Sequence, residues 1–145
     1  MAVALEPPTC VEHRRDRARR RRLCTPAERD RYFDLYDDHV VLHGFPPGLP
    51  PGNSGVKAFF MGFWEALPDA QLRGEDVFVG ENDRVAIRYA IDATHRGTFA
   101  GTKPTGRRVT VLGQTILRFE GGKVVERWNA VDMLGLLQQI GALPT

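Results

Sequence analysis

The feature that most constrains this chain is a change of hydrophobic period at Pro68. Before it, Val56, Phe59, Phe60, Phe63, Trp64 and Leu67 recur at three- and four-residue spacing, which predicts a helix from Ser54 closed by the proline. After Pro68-Asp69 the period becomes two. Gln71–Val79, Val85–Arg96, Arg107–Phe119 and Val124–Val131 read as four strands. Their links are Gly80-Glu81-Asn82-Asp83, a Gly/Thr/Pro stretch from Gly97 to Gly106, and Glu120-Gly121-Gly122-Lys123. Such short polar links imply antiparallel pairing, because parallel neighbours need long crossovers. Helices first and a meander after them give an α+β order. The expected architecture is a curved antiparallel sheet of about four long strands, with N-terminal helices and a C-terminal helix forming a cone-shaped barrel.

The flanks complete this outline. Thr25-Pro26-Ala27-Glu28 has the layout of a helix N-cap, and Arg29–Asp38 follows as a helix burying Tyr32, Phe33, Leu35 and Tyr36. Val40-Val41-Leu42-His43 reads as a short strand, and the proline-rich Gly44–Asn53 as a loop. Asp132 caps a last helix through Leu134, Leu136, Leu137 and Ile140, which ends at Gly141. Residues 1–24 form a separate basic segment of net charge +4, with seven arginines from Arg14 to Arg22, and this segment could be poorly ordered. The domain proper is 25–145. An arginine run can touch nucleic acid, but no aromatic RNA-binding motif, zinc cluster or helix-turn-helix pattern accompanies it, so nucleic acid is not an expected partner. With 42% apolar residues, 145 residues suffice for one core, and Cys10 and Cys24 are too few for a disulfide framework. No apolar run reaches the ~18 residues of a membrane span, and the opening has no secretion-signal layout. The expectation is a cytoplasmic protein without membrane, metal or cofactor.

The second half resembles the SnoaL-like polyketide cyclase family, within the nuclear-transport-factor-like cone folds. The residues that carry the resemblance are Thr94-His95-Arg96-Gly97-Thr98-Phe99-Ala100-Gly101, Pro104-Thr105-Gly106-Arg107, Ile116-Leu117-Arg118-Phe119 and Gly122-Lys123-Val124-Val125-Glu126-Arg127-Trp128. Asp132 and Gln139-Ile140-Gly141 continue the series, and His43-Gly44, Leu67-Pro68-Asp69 and Asp83-Arg84-Val85-Ala86 precede it. Two departures stand out. The stretch Val11–Leu23, where the family offers an apolar first helix, holds seven arginines and only Val11, Ala18 and Leu23 as apolar residues. At the last-strand position where ring-closing relatives carry a carboxylate acid or base, this chain has Asn129, which cannot shuttle a proton at neutral pH.

Alternation places the candidate residues. On the third strand Val85, Ile87, Tyr89, Ile91, Ala93 and His95 share the apolar face, so His95 is expected in the cavity as a general acid or base. Val109, Val111, Thr115, Leu117 and Phe119 share a face on the next strand. The family's acid position implies that Val125, Arg127, Asn129 and Val131 point inward on the last, with Glu126 and Trp128 outward. Asn129 would then donate to a carbonyl or developing oxyanion. An inward Arg127 would bind an anionic or phenolic oxygen, whereas the ordinary reading of an arginine here is a surface salt bridge. By family analogy His43 sits at the pocket mouth. Tyr89, Phe63, Trp64 and Thr115 are candidate substrate-binding residues. Asp132 is either the helix cap or the nearest substitute for the missing acid. Arg88 and Asp92, four apart on one face, suggest an exterior ion pair.

The resemblance thus implies a cofactor-free cyclase or isomerase of natural-product biosynthesis, with catalytic His95, Asn129 and Asp132 and a small apolar polyfunctional substrate. Pairing through the outer sheet face as a homodimer is also implied. The alternative is a non-catalytic or accessory module that binds a small hydrophobic ligand and assists a partner oxygenase.

Overall fold

The computed structural model describes residues 26–144. The arginine-rich 1–24 segment, the Val11–Leu23 stretch, both cysteines and the Thr25 cap lie outside the described residues. In chain order the elements are α1 (Pro26–Asp34), β1 (Tyr36–His43), α2 (Asn53–Ala66), β2 (Gln71–Val79), β3 (Arg84–Thr94), β4 (Arg108–Glu120), β5 (Lys123–Val131) and α3 (Met133–Gln139). The five strands form one curved, unclosed sheet of order β1-β5-β4-β3-β2.

The expected meander is present from β2 to β5, and all three of its pairings are antiparallel. The β4–β5 link is a two-residue turn in which Gly121 and Gly122 both take positive φ (56° and 78°). That is the backbone a twisted hairpin needs, and glycine reaches it without strain. The first helix is shorter than its composition suggests. It stops at Asp34, and Tyr36 already begins β1, which lies parallel to β5. The sheet is therefore mixed and has a fifth strand. The long excursion through α2 and three strands is what permits the parallel pairing, as a crossover requires.

The core fills the concave side of the sheet. Val85, Ile87, Tyr89, Ile91 and Ala93 of β3 meet Val109, Val111 and Leu117 of β4 there, under Val56, Phe63 and Ala66 of α2. Leu136 and Ile140 at the C-terminal helix close one end of this core. A bulge between Arg118 and Phe119 changes the β4–β5 register, so Val124 rather than Val125 is the buried residue at the start of β5. From Arg127 onward the expected alternation holds. Arg88 and Asp92 do not pair with each other: each finds a partner across the β2–β3 ladder. Arg88 meets Asp76 at 2.5 Å and also Glu75, and Asp92 meets Arg73 at 2.7 Å. The register that sets Arg88 opposite Asp76 is what decides this. Among the described residues no helix is long and apolar enough to cross a membrane.

Candidate functional site

Between the concave sheet and the N-terminal helices lies a cavity of about 90 Å³. Its wall is aromatic and aliphatic, with Phe59, Phe60, Phe63 and Trp64 from α2 facing Ile87, Ile91 and Leu117 of the sheet. The polar exceptions are Tyr32, Tyr36, Tyr89, Thr115, Arg127 and Asn129, drawn from α1, β1, β3, β4 and β5. Strand alternation brings the last four to one face, and register sets Thr115 directly opposite Asn129.

Arg127 is the centre of this group and is only 6% exposed. Its Nε donates to Thr115 Oγ1 at 3.0 Å. Its Nη1 donates to Tyr32 Oη at 2.9 Å and Tyr36 Oη at 2.5 Å, and its Nη2 donates to Asn129 Oδ1 at 3.4 Å. Every one of these acceptors is neutral. Among the described residues no carboxylate pairs with Arg127, so the surface salt bridge is replaced by a buried, uncompensated cation. A guanidinium out of water costs several kcal/mol, and hydrogen bonds to neutral oxygens recover only part of that. The rings of Phe45 and Phe60 flank it, each centroid 5.4 Å from Cζ, and their π faces add attraction. Burial pulls the Arg127 pKa down, but the phenolic oxygens around it more than offset that pull, and it ends above its ordinary value.

Tyr36 and Tyr89 stay neutral. Burial pushes the phenols of Tyr36 and Tyr89 above their ordinary range, and the positive charge of Arg127 only partly opposes it. Tyr89 donates to Asn129 Oδ1 at 3.0 Å, and the hydroxyls of Tyr32 and Tyr36 are 2.8 Å apart. Because Arg127 can only donate, the Asn129 atom facing it must be the amide oxygen, which fixes that side chain's orientation. Two glycines make room for this arrangement. At Gly113 a Cβ would lie 2.3 Å from Tyr89 Cζ, so the ring rests on bare backbone. At Gly44 (φ 76°) a Cβ would lie 2.0 Å from the Asn129 carbonyl oxygen, so the turn leading to Phe45 can cross β5 there.

Of the residues singled out from sequence, Tyr89, Phe63, Trp64, Thr115, Arg127 and Asn129 line the cavity; His95, His43 and Asp132 do not. His95 is fully buried on the expected face of the sheet, but it stands beyond the end of β3. It is four residues past Ile91, the last β3 residue of the cavity wall, about 13 Å along an extended strand. Its Nδ1 accepts the Thr105 backbone N–H at 3.2 Å and lies 3.0 Å from Thr105 Oγ1, which fastens the β3–β4 loop. The imidazole and the Asn129 amide therefore do not converge on one space. His43 is on the outer face of the sheet, not at the pocket mouth. It stacks on Trp128 (centroids 5.1 Å apart, planes 10° apart) and bonds Glu126 at 2.8 Å. That bond is the first cause holding the Glu126 carboxyl below its ordinary range. Glu126 also meets Arg118 at 3.1 Å. Asp132 is exposed and accepts from Gly135 N at 2.8 Å as the α3 cap.

Sequence reading passed over Tyr32, Tyr36 and Phe45. The signal for the tyrosines was their own hydroxyls: two phenols four residues apart on a face assigned to the core need partners when buried. Among the described residues, those lining the cavity include no Asp, Glu, His, Lys or Cys. Among the described residues no group of three or more His, Cys, Asp or Glu is placed to hold a metal ion. What the site can do is hold and stabilise negative charge on an oxygen inside an apolar chamber.

Comparison with known proteins agrees with this fold. The SnoaL-like polyketide cyclase family model matches residues 17–140. Among solved structures, AclR from Streptomyces galilaeus, a proposed hydroxylase, is 34% identical, with a TM-score of 0.68 over 78% of this chain and 83% of that one. TsrD from Streptomyces laurentii is 26% identical, with a TM-score of 0.70 over 78% and 83%. IdmH from Streptomyces antibioticus, a proposed polyketide cyclase, is 28% identical, with a TM-score of 0.64 over 74% and 83%. No curated protein matches the chain.

Proposed function

The chain belongs to the SnoaL-like polyketide cyclase family, and from that premise we propose that it is a cofactor-free cyclase or isomerase of natural-product biosynthesis. Its substrate is a small, largely apolar molecule with several carbonyl or hydroxyl groups. The observation that carries the reading is Arg127, buried in the cavity with only neutral partners.

The site works by charge stabilisation, since among the described residues its walls offer no carboxylate or imidazole to take a proton. The α-carbon of an activated carbonyl gives its proton to solvent, and the electron pair moves onto the oxygen. That oxyanion rests against Arg127 and Asn129. The nucleophilic carbon then attacks a second carbonyl of the same molecule: a C–C bond forms, the C=O π bond breaks, and the new alkoxide takes a proton from solvent. The net change is a ring closure with no oxidation. A preorganised donor set of this kind in a dry site contributes about 10²–10³-fold per donor removed.

The test is turnover of an enolisable polyketide-like intermediate by the purified protein, beside Arg127→Met and Asp132→Ala. The reading expects loss of about 100-fold or more in the first variant and wild-type kcat in the second. A second reading, an accessory module that presents its ligand to a partner oxygenase, is favoured by the missing base and by the likeness to AclR. Ligand recovered unchanged from long incubation with wild-type protein supports that alternative and overturns the first. Assembly as a homodimer through the outer face is part of the proposal. The exposed Val41, Phe78, Leu112 and Ile116, together with the His43–Trp128 stack, support it.

A further inference from the structure

A count of donors and acceptors around Arg127 says more about the ligand than the shape of the cavity does. A guanidinium has five N–H groups, and four of them have the partners given above. One Nη2 N–H is left over. Of the two hydroxyl hydrogens of Tyr32 and Tyr36, one spans the 2.8 Å between them and the other has no acceptor among the described residues. The amide oxygen of Asn129 already accepts twice, which leaves its NH₂ group with two unused donors. The cluster therefore has donors to spare, one whole positive charge and, among the described residues, only hydroxyl oxygens such as Tyr89 Oη as open acceptors. A neutral alcohol or amine suits such a place poorly, because it leaves the buried charge of Arg127 uncompensated. An oxygen with no hydrogen and a negative charge suits it well.

Resting on the reading of this cavity as the substrate site, we infer that it is a receptor for the ionised form of a planar weak oxygen acid, a phenolate or the enolate of a 1,3-dicarbonyl compound. Planarity follows from the walls, where Phe59, Phe60, Phe63 and Trp64 offer flat surfaces to conjugated rings. Asn129 is the residue that sets this preference. With the same shape, an aspartate there would cancel the charge of Arg127 from inside the protein, and the amide leaves that task to the ligand. Among the described residues the titratable groups on the cavity wall are Arg127 and the three tyrosines, and Arg29 adds a second cation 4.6 Å from the Trp64 ring. Nothing on the wall, among the described residues, works against an anion.

The test uses the full chain and a series of nitrophenols, whose absorbance separates phenol from phenolate. The expected result is a bound probe that ionises at least one pH unit below the free one, with affinity rising as the probe becomes the anion. Asn129→Asp and Arg127→Met should each abolish the shift. The first is isosteric and keeps the test open if the second fails to fold. A bound probe that ionises at or above its free pH, or a series that binds no tighter as phenolate than as phenol, overturns the inference. The outcome is separable from the enzymatic reading. Protein that binds phenolate yet turns over no intermediate removes the cyclase and keeps the receptor; turnover with a neutral-form preference does the reverse.

Discussion

Replacing Asn129 with aspartate isolates the role of charge, because the two side chains differ little in shape. Asn129 Oδ1 is 3.4 Å from Arg127 Nη2 and 3.0 Å from the Tyr89 hydroxyl, and a carboxylate oxygen can occupy the same place. Two unit charges about 4 Å apart interact by about 4 kcal/mol at an effective dielectric constant near 20. Desolvating the new carboxylate costs several kcal/mol, so the two terms largely cancel and the melting temperature should move little. Ligand binding has no such cancellation. An anion entering the wild-type cavity meets the unpaired charge of Arg127, and one entering the variant meets that charge already cancelled from inside the protein. Loss of about 4 kcal/mol corresponds to about three decades in affinity. Allowing for screening at the cavity mouth, we expect phenolate affinity to fall by at least about 100-fold, while affinity for a neutral isostere stays near wild type. Calorimetry or absorbance titration with the paired probes measures both. A variant that binds phenolate as tightly as wild type, or that gains turnover because the carboxylate serves as a base, refutes the reasoning.

Other substitutions separate the cavity from its frame. His95→Ala should lower stability by about 2–3 kcal/mol through a buried void and a loosened Thr105 anchor, with kcat of the folded fraction unchanged; loss of kcat would return His95 to the chemistry. Gly113→Ala forces a Cβ into the Tyr89 ring, an overpacking that costs about 1–3 kcal/mol, and it should weaken phenolate binding by moving the Tyr89 hydroxyl off Asn129. An acid titration follows from Asp69, where burial raises the pKa but the Thr94 hydroxyl and N–H, each 2.6 Å away, hold it below the ordinary range. Its contribution to stability is complete at neutral pH and is lost as pH falls through that lowered value. The gap in melting temperature between wild type and Asp69→Asn should therefore close as the solution is acidified below the usual carboxylate range.

Most of the fold was legible because hydrophobic period is a local property. The helix ending at Leu67, the four strands and the Asp132 cap all follow from spacing and turn residues within a few positions of each element. The parallel placement of β1 beside β5 was not legible, since Tyr36 pairs with Val124 across 88 positions and nothing local records it. The exchange of Val125 for Val124 is similar: both are valines, and only the extra residue at the Arg118–Phe119 bulge decides which one is buried. His95 shows a third limit. Alternation gave its face correctly and could not say that the wall of the cavity ends at Ile91.

Arg127 carries the strongest lesson about reading a site of this kind. Alone on a strand, an arginine is ordinarily a surface residue, because burying its charge is costly. Three other residues overturn that prior, and each is individually bland: Tyr32 on a core helix, Tyr36 at a strand start, and Thr115 opposite Asn129 in the ladder. Their oxygens recover enough of the lost hydration to keep the cation inside, and none of them neutralises it. A protein under selection for stability alone would gain by placing an apolar residue at 127. Keeping an unpaired charge beside an amide makes sense only if something else supplies the anion. If so, Arg127→Met should leave the folded state as stable as wild type or more so while phenolate binding disappears. A large loss of stability in that variant, with binding by the surviving protein intact, would make the guanidinium a structural strut and Asn129 merely its acceptor.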